Sequence, residues 1–453
     1  MSVLPFLTAY DPLGGSPGSI DPLGAFKSYF ALVDLLLPGM STITTRSRYL
    51  SMICAALANA ERFRSFPPGP AGLAARREAI EPFERLWGLA CAAAQRKGRR
   101  AAANDFRGIT YAERYLRRQK EGSFISADFK MLDNQSRTAG VATYWTTIQT
   151  GDLAREEGAL TPDGETLARQ FPLPPLMDRD LEKLTSPSTA RRVHLPLEDL
   201  YDWSDECHLG AARAQEKKLL AIALLAPDRR DAISRALREC ENHDRSLPED
   251  WNVAAMRKLR SRLKADRTAR VLGLPVALDA IITFEQLHEA VLTVFDTLLW
   301  WGTENTHRSS VSLFTNRDFK KACARIRERA EALVNFQSTC EHISVCKAIE
   351  DFVIFAADLV RTREADIPDA VLRRHRHVQS GKLDGGVPKR EWVTYEPGGK
   401  VIRPSPRFQR SERPDAARGC SLTHAYRVEQ FVGMLRETGV LATRSLRALN
   451  NAQ

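Results

Sequence analysis

The chain has 453 residues, of which 43% are hydrophobic and 27% are charged, and its formal net charge is +10 at pH 7. This length and balance exclude a disordered chain and favour two or three folded domains. The positive charge makes nucleic acid the first acidic partner to consider, although solvated arginines alone give the same total.

Apolar residues recur at three- and four-residue spacing along most of the chain, which predicts a mainly α, multi-domain helical protein. The predicted helices lie at about 25–37, 45–64, 72–96, 109–120, 136–150, 163–170, 208–226, 228–243, 251–270, 277–302, 316–335, 339–363 and 421–437. Irregular crossings rich in Pro and Gly separate some of them, the longest over 375–419. We predict four domains: an N-terminal helical domain (1–107), a winged-helix-like module (108–175), a helical domain (176–372), and a basic irregular segment with C-terminal helices (373–453).

Targeting and membrane signals are missing from the sequence. The N-terminal residues lack the basic and apolar regions of a signal peptide, and the eight cysteines are spread thinly. We therefore predict a cytoplasmic protein with reduced thiols. The most apolar long segment, 276–301, contains Glu285, His288 and three further acidic residues, which predicts a buried helix rather than a membrane span.

A loop rich in hydroxyl groups, “GMSTITTRSR” (39–48), joins the first two predicted helices. Its hydroxyls can accept hydrogen bonds from the free backbone N–H groups that begin a helix. Arg46 and Arg48 fall in the first turn of that helix, where the helix dipole disfavours a cation, so we expect a carboxylate or a phosphate beside them. The loop is either a capped joint bridged to a neighbouring helix or a contact for a partner. It lacks the glycines of a nucleotide-binding loop.

The stretch “VATYWTTIQTGDLAREEGALTPDGETLARQF” (141–171) predicts an amphipathic helix, a short hairpin and a final helix that begins at Thr161-Pro162. This order resembles a winged-helix module, in which “L-T-P-x-G-x-x-L-A” commonly follows the last strand. Winged helices bind proteins as well as DNA. On DNA, Arg137 and the nearby hydroxyls of Ser136, Thr138 and Thr143 are placed to contact phosphate.

Two blocks resemble a known family. “LPGMSTITTRSRYLSMI” is similar to the “FPG-STI-TRARY” block of an uncharacterised bacterial family found in anti-phage defence islands beside helicases and phospholipase-D-like nucleases, and “ATYWTTIQTGDL” resembles the block that follows it there. The resemblance covers about residues 20–170, and the matching positions are Arg46, Arg48, Tyr49, Tyr144 and Trp145. It implies a defence setting, with a helicase or nuclease subunit as the protein partner, but it implies no reaction.

Three regions concentrate basic residues and are candidates for contacts to nucleic-acid phosphates. The first, between positions 96 and 120, includes Arg99, Arg100, Arg117 and Arg118. The second lies on one predicted helix, where Arg257, Arg260, Lys264 and Arg267 share a face. The third combines Lys382, Lys389, Arg390 and Arg407 with Trp392, an aromatic residue that can stack on an exposed base. A protein partner or a flexible arm explains the third region equally well.

Metal-binding and catalytic signatures are weak. Cys207-His208 with Cys240 and His243, and the group Cys340, His342 and Cys346, both depart from established zinc patterns. His375, His377, Lys382 and Asp384 lack the spacing of a His-Lys-Asp phosphodiesterase, and no Walker A, zincin or serine-elbow motif occurs. We therefore predict neither a metal nor a cofactor.

These patterns favour a non-catalytic accessory subunit of a defence system that binds DNA or couples it to a partner enzyme. One alternative is a divalent-metal-dependent nuclease that uses scattered carboxylates such as Asp202 and Asp205. Another is a protein-only scaffold whose basic surfaces dock on acidic subunits.

Overall fold

The computed structural model describes residues 21–42, 45–99, 106–132, 135, 140–248, 250–305, 311–384, 386–395, 401–414 and 422–442. Over these residues the protein is mainly α, which confirms the predicted class. The helices are α1 (Phe26–Leu36), α2 (Arg48–Phe63), α3 (Gly69–Arg96), α4 (Ile109–Arg117), α5 (Gly140–Thr150), α6 (Pro162–Ala168), α7 (Asp178–Lys183), α8 (Pro187–Ala190), α9 (Leu197–Cys207), α10 (Ala214–Leu225), α11 (Asp228–Asp244), α12 (Val253–Ala265), α13 (Arg267–Val271), α14 (Leu274–Glu304), α15 (Val311–Thr315), α16 (Arg317–Thr339), α17 (Ile343–Arg361), α18 (Ile367–Ser380) and α19 (Val428–Glu437).

Strands are short and form three antiparallel pairs in the described part of the chain. These pairs are β1 (Phe124–Ser126) with β2 (His194–Pro196), β3 (Leu383–Asp384) with β4 (Val387–Pro388), and β5 (Val393–Tyr395) with β6 (Ile402–Pro404). Among the described helices, none has the length and apolar content needed to cross a membrane.

The chain forms two compact units. The first comprises Met1–Leu36 and Pro248–Ala425, and the second comprises Leu37–Leu247 and Tyr426–Gln453. Each unit therefore contains two segments that are far apart in the sequence. The four domains expected from the sequence do not coincide with these units, and their boundaries stay predictions.

The first unit is built around α14, a 31-residue helix with apolar side chains on most of its circumference. Helices α1, α12, α16, α17 and α18 all pack against it. Such a helix is stabilised by neighbours on several sides, as expected for a segment that is apolar on most of its circumference. The prediction that 276–301 forms a buried helix is confirmed.

The second unit has an aromatic core between α2, α3 and α5. Tyr49 stacks on Tyr144 at 4.5 Å between ring centroids, and its ring edge meets Trp87 at 4.7 Å. The side chain of Trp145 is also buried, with the Arg77 guanidinium 4.9 Å from its ring centre. Three of the positions that carried the sequence resemblance, Tyr49, Tyr144 and Trp145, are thus core residues.

The segment predicted to be winged-helix-like has the expected local order. Helix α5 is followed by a narrow turn with one bridge between Ala154 and Leu160, and then by α6. The Thr161 hydroxyl accepts from the Gly164 backbone N–H at 3.1 Å, with Pro162 at the first helical position. The winged-helix assignment itself stays a prediction, since β1 pairs with β2 beyond the end of that segment.

Two local predictions are wrong. The helix expected over 251–270 is divided at Asp266, whose carboxylate accepts from the Ala269 N–H at 2.9 Å and starts α13. An aspartate that caps a new helix competes with continuation of the old one. Helices α9 and α18 were not anticipated, since residues 197–207 and 367–380 lie outside the predicted helices.

The loop between α1 and α2 is a joint fixed by carboxylates from distant helices. Glu437 at the end of α19 accepts from the Ser47 N–H at 2.7 Å and from its hydroxyl at 2.9 Å, and it pairs with Arg46. The side chain at the N-cap makes no capping bond. The hydroxyl capping expected from the sequence is therefore replaced by a carboxylate, which the positive end of a helix dipole also favours.

Arg48 is buried at the same joint. Its guanidinium donates to both oxygens of Glu216 in α10, from Nε at 3.0 Å and from Nη2 at 3.1 Å, and it also reaches the carbonyl oxygens of Glu206 and His208. Arg48 and Glu216 are 1% and 0% exposed. Of the two anions that the sequence left open, a carboxylate is present, and Arg48, which was a candidate contact for nucleic acid, is not accessible to a phosphate.

Removing the Glu216 carboxylate tests this joint. In Glu216→Ala the Arg48 charge stays buried without its partner, so we expect the free energy of unfolding to fall by about 3–5 kcal/mol. Glu206→Ala is the matched control, because Glu206 pairs with Arg213 at an exposed site and should cost less than about 1 kcal/mol. Urea unfolding measures both variants, and an equal fall in both would contradict the role of the buried pair.

Candidate nucleic-acid interface

Helices α12 and α13 carry several exposed cations in the first unit. The apolar side of α12 bears Met256, Leu259 and Leu263, which are buried, and α12 packs on α14. We call four exposed residues the basic ridge, namely Arg257 and Lys264 on α12 and Arg267 and Arg270 on α13. Arg257 and Lys264 are two turns apart, about 10 Å along the axis.

The acidic residues beside the ridge already have partners. Asp266 caps α13, and Asp279 of α14 pairs with Arg260, which is half-buried. Arg260 was predicted to contact nucleic acid with the others, but it instead fastens α12 to α14. Over the described residues, no carboxylate lies within ion-pair distance of Arg257, Lys264, Arg267 or Arg270. The ridge therefore keeps a concentrated positive charge.

The first basic region lies in the second unit and is partly neutralised. Lys97 pairs with Asp205 at 2.8 Å, and Arg99 approaches the same carboxylate at 3.9 Å. The Lys97 hydrogen bond holds the pKa of Asp205 below its usual value despite some desolvation. Arg117 lies 3.5 Å from Glu113 at an exposed site, and Arg118 is exposed.

The third basic region folds onto the first unit. The Trp392 ring stacks on Phe408 at 4.3 Å between centroids and an interplanar angle of 2°. Arg376 pairs with Glu391 at 2.8 Å, and Lys382 donates to the Asp21 carbonyl oxygen. Lys389 is half-buried, whereas Arg390 and Arg407 are exposed. An internal stack covers one face of Trp392, so the surface there is less open to a base than the sequence suggested.

Two predicted contacts, Arg100 and Arg137, lie outside the described residues, as do Ser136 and Thr138. Thr143 donates its hydroxyl hydrogen bond to the Gly140 carbonyl oxygen of its own helix at 3.1 Å. The sequence-predicted cations are therefore distributed over both units. The single helical face predicted for Arg257, Lys264 and Arg267 is wrong, because the helix is divided at Asp266 and Arg267 lies on α13.

The candidate ligands named from the sequence do not converge on an ion within the described residues. Cys207 and Cys240 are buried, whereas His243 is exposed and hydrogen-bonds Asp244 at 2.9 Å. Of the carboxylates considered for a nuclease, Asp202 is exposed and Asp205 is paired with Lys97.

A buried polar cluster that the sequence analysis missed joins α14 to the segment before α19. Glu285 accepts from the Thr423 backbone N–H and hydroxyl, both at 2.6 Å, and from His424 Nδ1 at 2.6 Å. His288 Nδ1 lies 2.7 Å from the Thr423 hydroxyl oxygen. Glu285 and His288 are 0% and 5% exposed. Their three-residue spacing on α14, which places them on one face, is the only local signal for this cluster.

The side chains of this cluster are joined by a consistent set of hydrogen bonds. The Thr423 hydroxyl donates to Glu285 and accepts from His288 Nδ1–H, while His424 Nδ1–H donates to the other carboxylate oxygen. Burial raises the pKa of Glu285, but the hydrogen bond and charge of His424, with lesser help from His288 and Thr423, outweigh it and leave that pKa lowered. Burial, and then the charge of His424, lowers the pKa of His288 to about 4, so this ring is neutral near pH 7.

Glu285, His288 and His424 are also the residue types that hold transition metals, with ligand atoms within 4.8 Å of one another. The two ring centroids lie 4.8 Å apart with an interplanar angle of 26°. In the structure, hydrogen bonds join these side chains to Thr423 and to each other, and the cluster fastens α14 to residues 423 and 424.

The buried His375 ring also joins two segments of the same unit through hydrogen bonds. Its Nδ1–H donates to the Pro22 carbonyl oxygen at 2.9 Å, and its Nε2 accepts from the Trp392 backbone N–H at 2.8 Å. Burial lowers the pKa of His375 to about 4. Both ring nitrogens are occupied, so His375 is not available for the phosphodiesterase chemistry considered from the sequence.

Searches against family models, curated proteins and solved structures found no match to this chain.

The two buried histidines predict how stability depends on pH. In the unfolded chain each binds a proton near pH 6.5, whereas in the folded chain it does so only near pH 4. Between these values the unfolded state holds more protons, so stability falls as the pH is lowered from about 6.5 towards 4. His375→Gln removes one titration, and we expect the slope to decrease by up to about 1.4 kcal/mol per pH unit.

Urea unfolding at several pH values between 4.5 and 6.5 measures this slope. His377→Gln is the matched control, because that ring is exposed on the same helix. An unchanged slope in His375→Gln, or an equal change in both variants, would contradict the assignment.

Proposed function

We propose that this chain is a non-catalytic subunit that binds nucleic acid through the basic ridge of α12 and α13. The observation that carries the proposal is the set of four exposed cations on the ridge, for which the described residues supply no acidic partner. Arg267 and Arg270 lie three residues apart on α13, and like charges at that spacing repel each other by a few tenths of a kcal/mol. A bound polyanion relieves that repulsion, so the ridge is better suited to a ligand than to solvent alone.

The chemistry of such a surface is that of phosphate neutralisation. Each phosphate that is neutralised releases condensed counterions, so affinity falls as salt rises. The ridge residues are Arg and Lys, which bind phosphate, and this supports binding that depends on the backbone more than on sequence. DNA is the first polymer to test, in duplex and in single-stranded form.

The defence setting is a separate part of the proposal and rests on the resemblance of residues 20–170. It assigns a helicase or nuclease as the partner that acts on the bound DNA. Arg46 and Arg48 are paired with Glu437 and Glu216, so we assign them to the fold rather than to the DNA surface. We place the enzymatic step on the partner, since Asp205, one of the carboxylates named for the nuclease alternative, is already paired with Lys97.

Charge reversal on the ridge tests the proposed function. In Lys264→Glu/Arg267→Glu we expect weaker binding to a short duplex. We also expect a plot of log affinity against log salt to become shallower by about one unit for each phosphate that the variant no longer neutralises. Fluorescence anisotropy across a salt series measures both quantities.

The matched control is Arg361→Glu/Arg363→Glu, which changes the net charge equally at exposed positions of the same unit. We expect this variant to bind nearly as well as the unchanged chain. An equal reduction of affinity in both variants would mean that only net charge matters. If the unchanged protein ignored both DNA forms at low salt, the proposal would fail and a protein-only scaffold would replace it.

A further inference from the structure

Two thiols at the corner between α16 and α17 differ from the other cysteines. Of the seven described cysteines, five are buried, whereas Cys340 and Cys346 are partly exposed. Cys340 follows the last residue of α16, and Cys346 lies in the first turn of α17. Solvent therefore reaches both sulfur-bearing side chains at a sharp bend of the chain.

The bend brings Cys346 back onto Cys340. The Cys346 thiol donates to the Cys340 carbonyl oxygen at 3.4 Å, and the Cys340 thiol lies 3.7 Å from the carbonyl oxygen of His342. A disulfide needs Cα atoms roughly 4.4–6.8 Å apart. Two cysteines at one corner, one of whose thiols is hydrogen-bonded to the backbone of the other, are suited to such a bond.

We propose that Cys340 and Cys346 form a dithiol site that low-molecular-weight disulfides oxidise to an intramolecular disulfide. One cysteine thiolate attacks the small disulfide, forms a mixed disulfide and releases one small thiol. The second cysteine then attacks the protein sulfur of that mixed disulfide and releases the other small thiol. The two cysteine protons leave on the released thiols, so one small disulfide is reduced for each protein disulfide formed.

The same environment sets the speed of this exchange. Burial, and then contact with Cys340, raises the pKa of Cys346 to about 11. The thiolate is the attacking species, so its small population at neutral pH makes the reaction slow and accelerates it as the pH rises. Cys323, on the same helix α16, is buried and has a pKa raised to about 12, mainly by desolvation, which makes it the natural comparison.

The site adjoins the end of the basic ridge. His342, between the two cysteines, packs so closely on Gly273 that a Cβ at that glycine would lie 2.7 Å from the ring Nδ1. Gly273 has a φ of +70° and connects α13 to α14. A disulfide would therefore form beside the turn that ends the ridge. The dithiol chemistry itself is independent of the proposed function.

Oxidation of the full chain with excess glutathione disulfide tests the proposal. Remaining thiols are alkylated, and the protein is cleaved after Lys and Arg, which leaves both cysteines in one peptide, 330–347. We expect this peptide to be unalkylated, lighter by two hydrogen atoms, and restored by a reductant. The yield should rise with pH over the same incubation time.

Single substitutions provide the controls. In Cys340→Ser or Cys346→Ser the two-hydrogen decrease should disappear and a glutathione adduct should remain on the other cysteine, whereas Cys323→Ser should behave as the unchanged chain. Recovery of the 330–347 peptide with both cysteines alkylated, or with a glutathione on each, would overturn the proposal. So would pairing of either cysteine with a different cysteine of the chain.

Discussion

The buried ion pair between Arg48 and Glu216 is the interaction on which the second unit depends. It ties the start of α2 to α10, and the same guanidinium holds the chain that leaves α9 through two carbonyl oxygens. A buried charge is costly unless both partners are present and hydrogen-bonded. The geometry of the joint is therefore set by a contact between residues 168 positions apart.

The same rule separates cations that are paired inside the fold from exposed ones in the described parts of the chain. Arg46 faces Glu437, Arg260 faces Asp279, and Arg374 donates to Asp351 at 2.5 Å. Each of these arginines joins two elements and has its charge balanced inside the fold. The exposed ridge on α12 and α13 differs because its neighbouring carboxylates are already engaged. The net charge of +10 therefore helps to locate a surface for an acidic partner only after the arginines paired inside the fold are set aside.

Local features were predictable from the sequence, and long-range partners were not. Thr161-Pro162 begins α6 as predicted, because a cap and a first-turn proline act within one helical turn. The mainly α class follows from the three- and four-residue spacing of the apolar residues alone. By contrast, Glu437, Glu216 and the Thr423-His424 pair act on residues more than one hundred positions away. No local pattern marks such partners, so the sequence indicated that Arg46 and Arg48 need an anion without showing which one.

Hydrogen–deuterium exchange of the full chain, with and without a short DNA duplex at low salt, is the most direct test of the account. It locates the contact without changing any residue. The account predicts slower exchange in 253–271 when DNA is bound, with smaller changes elsewhere. Binding that leaves 253–271 unchanged and protects 109–120 or 401–414 instead would contradict it, because the polyanion would then lie on a surface other than the ridge.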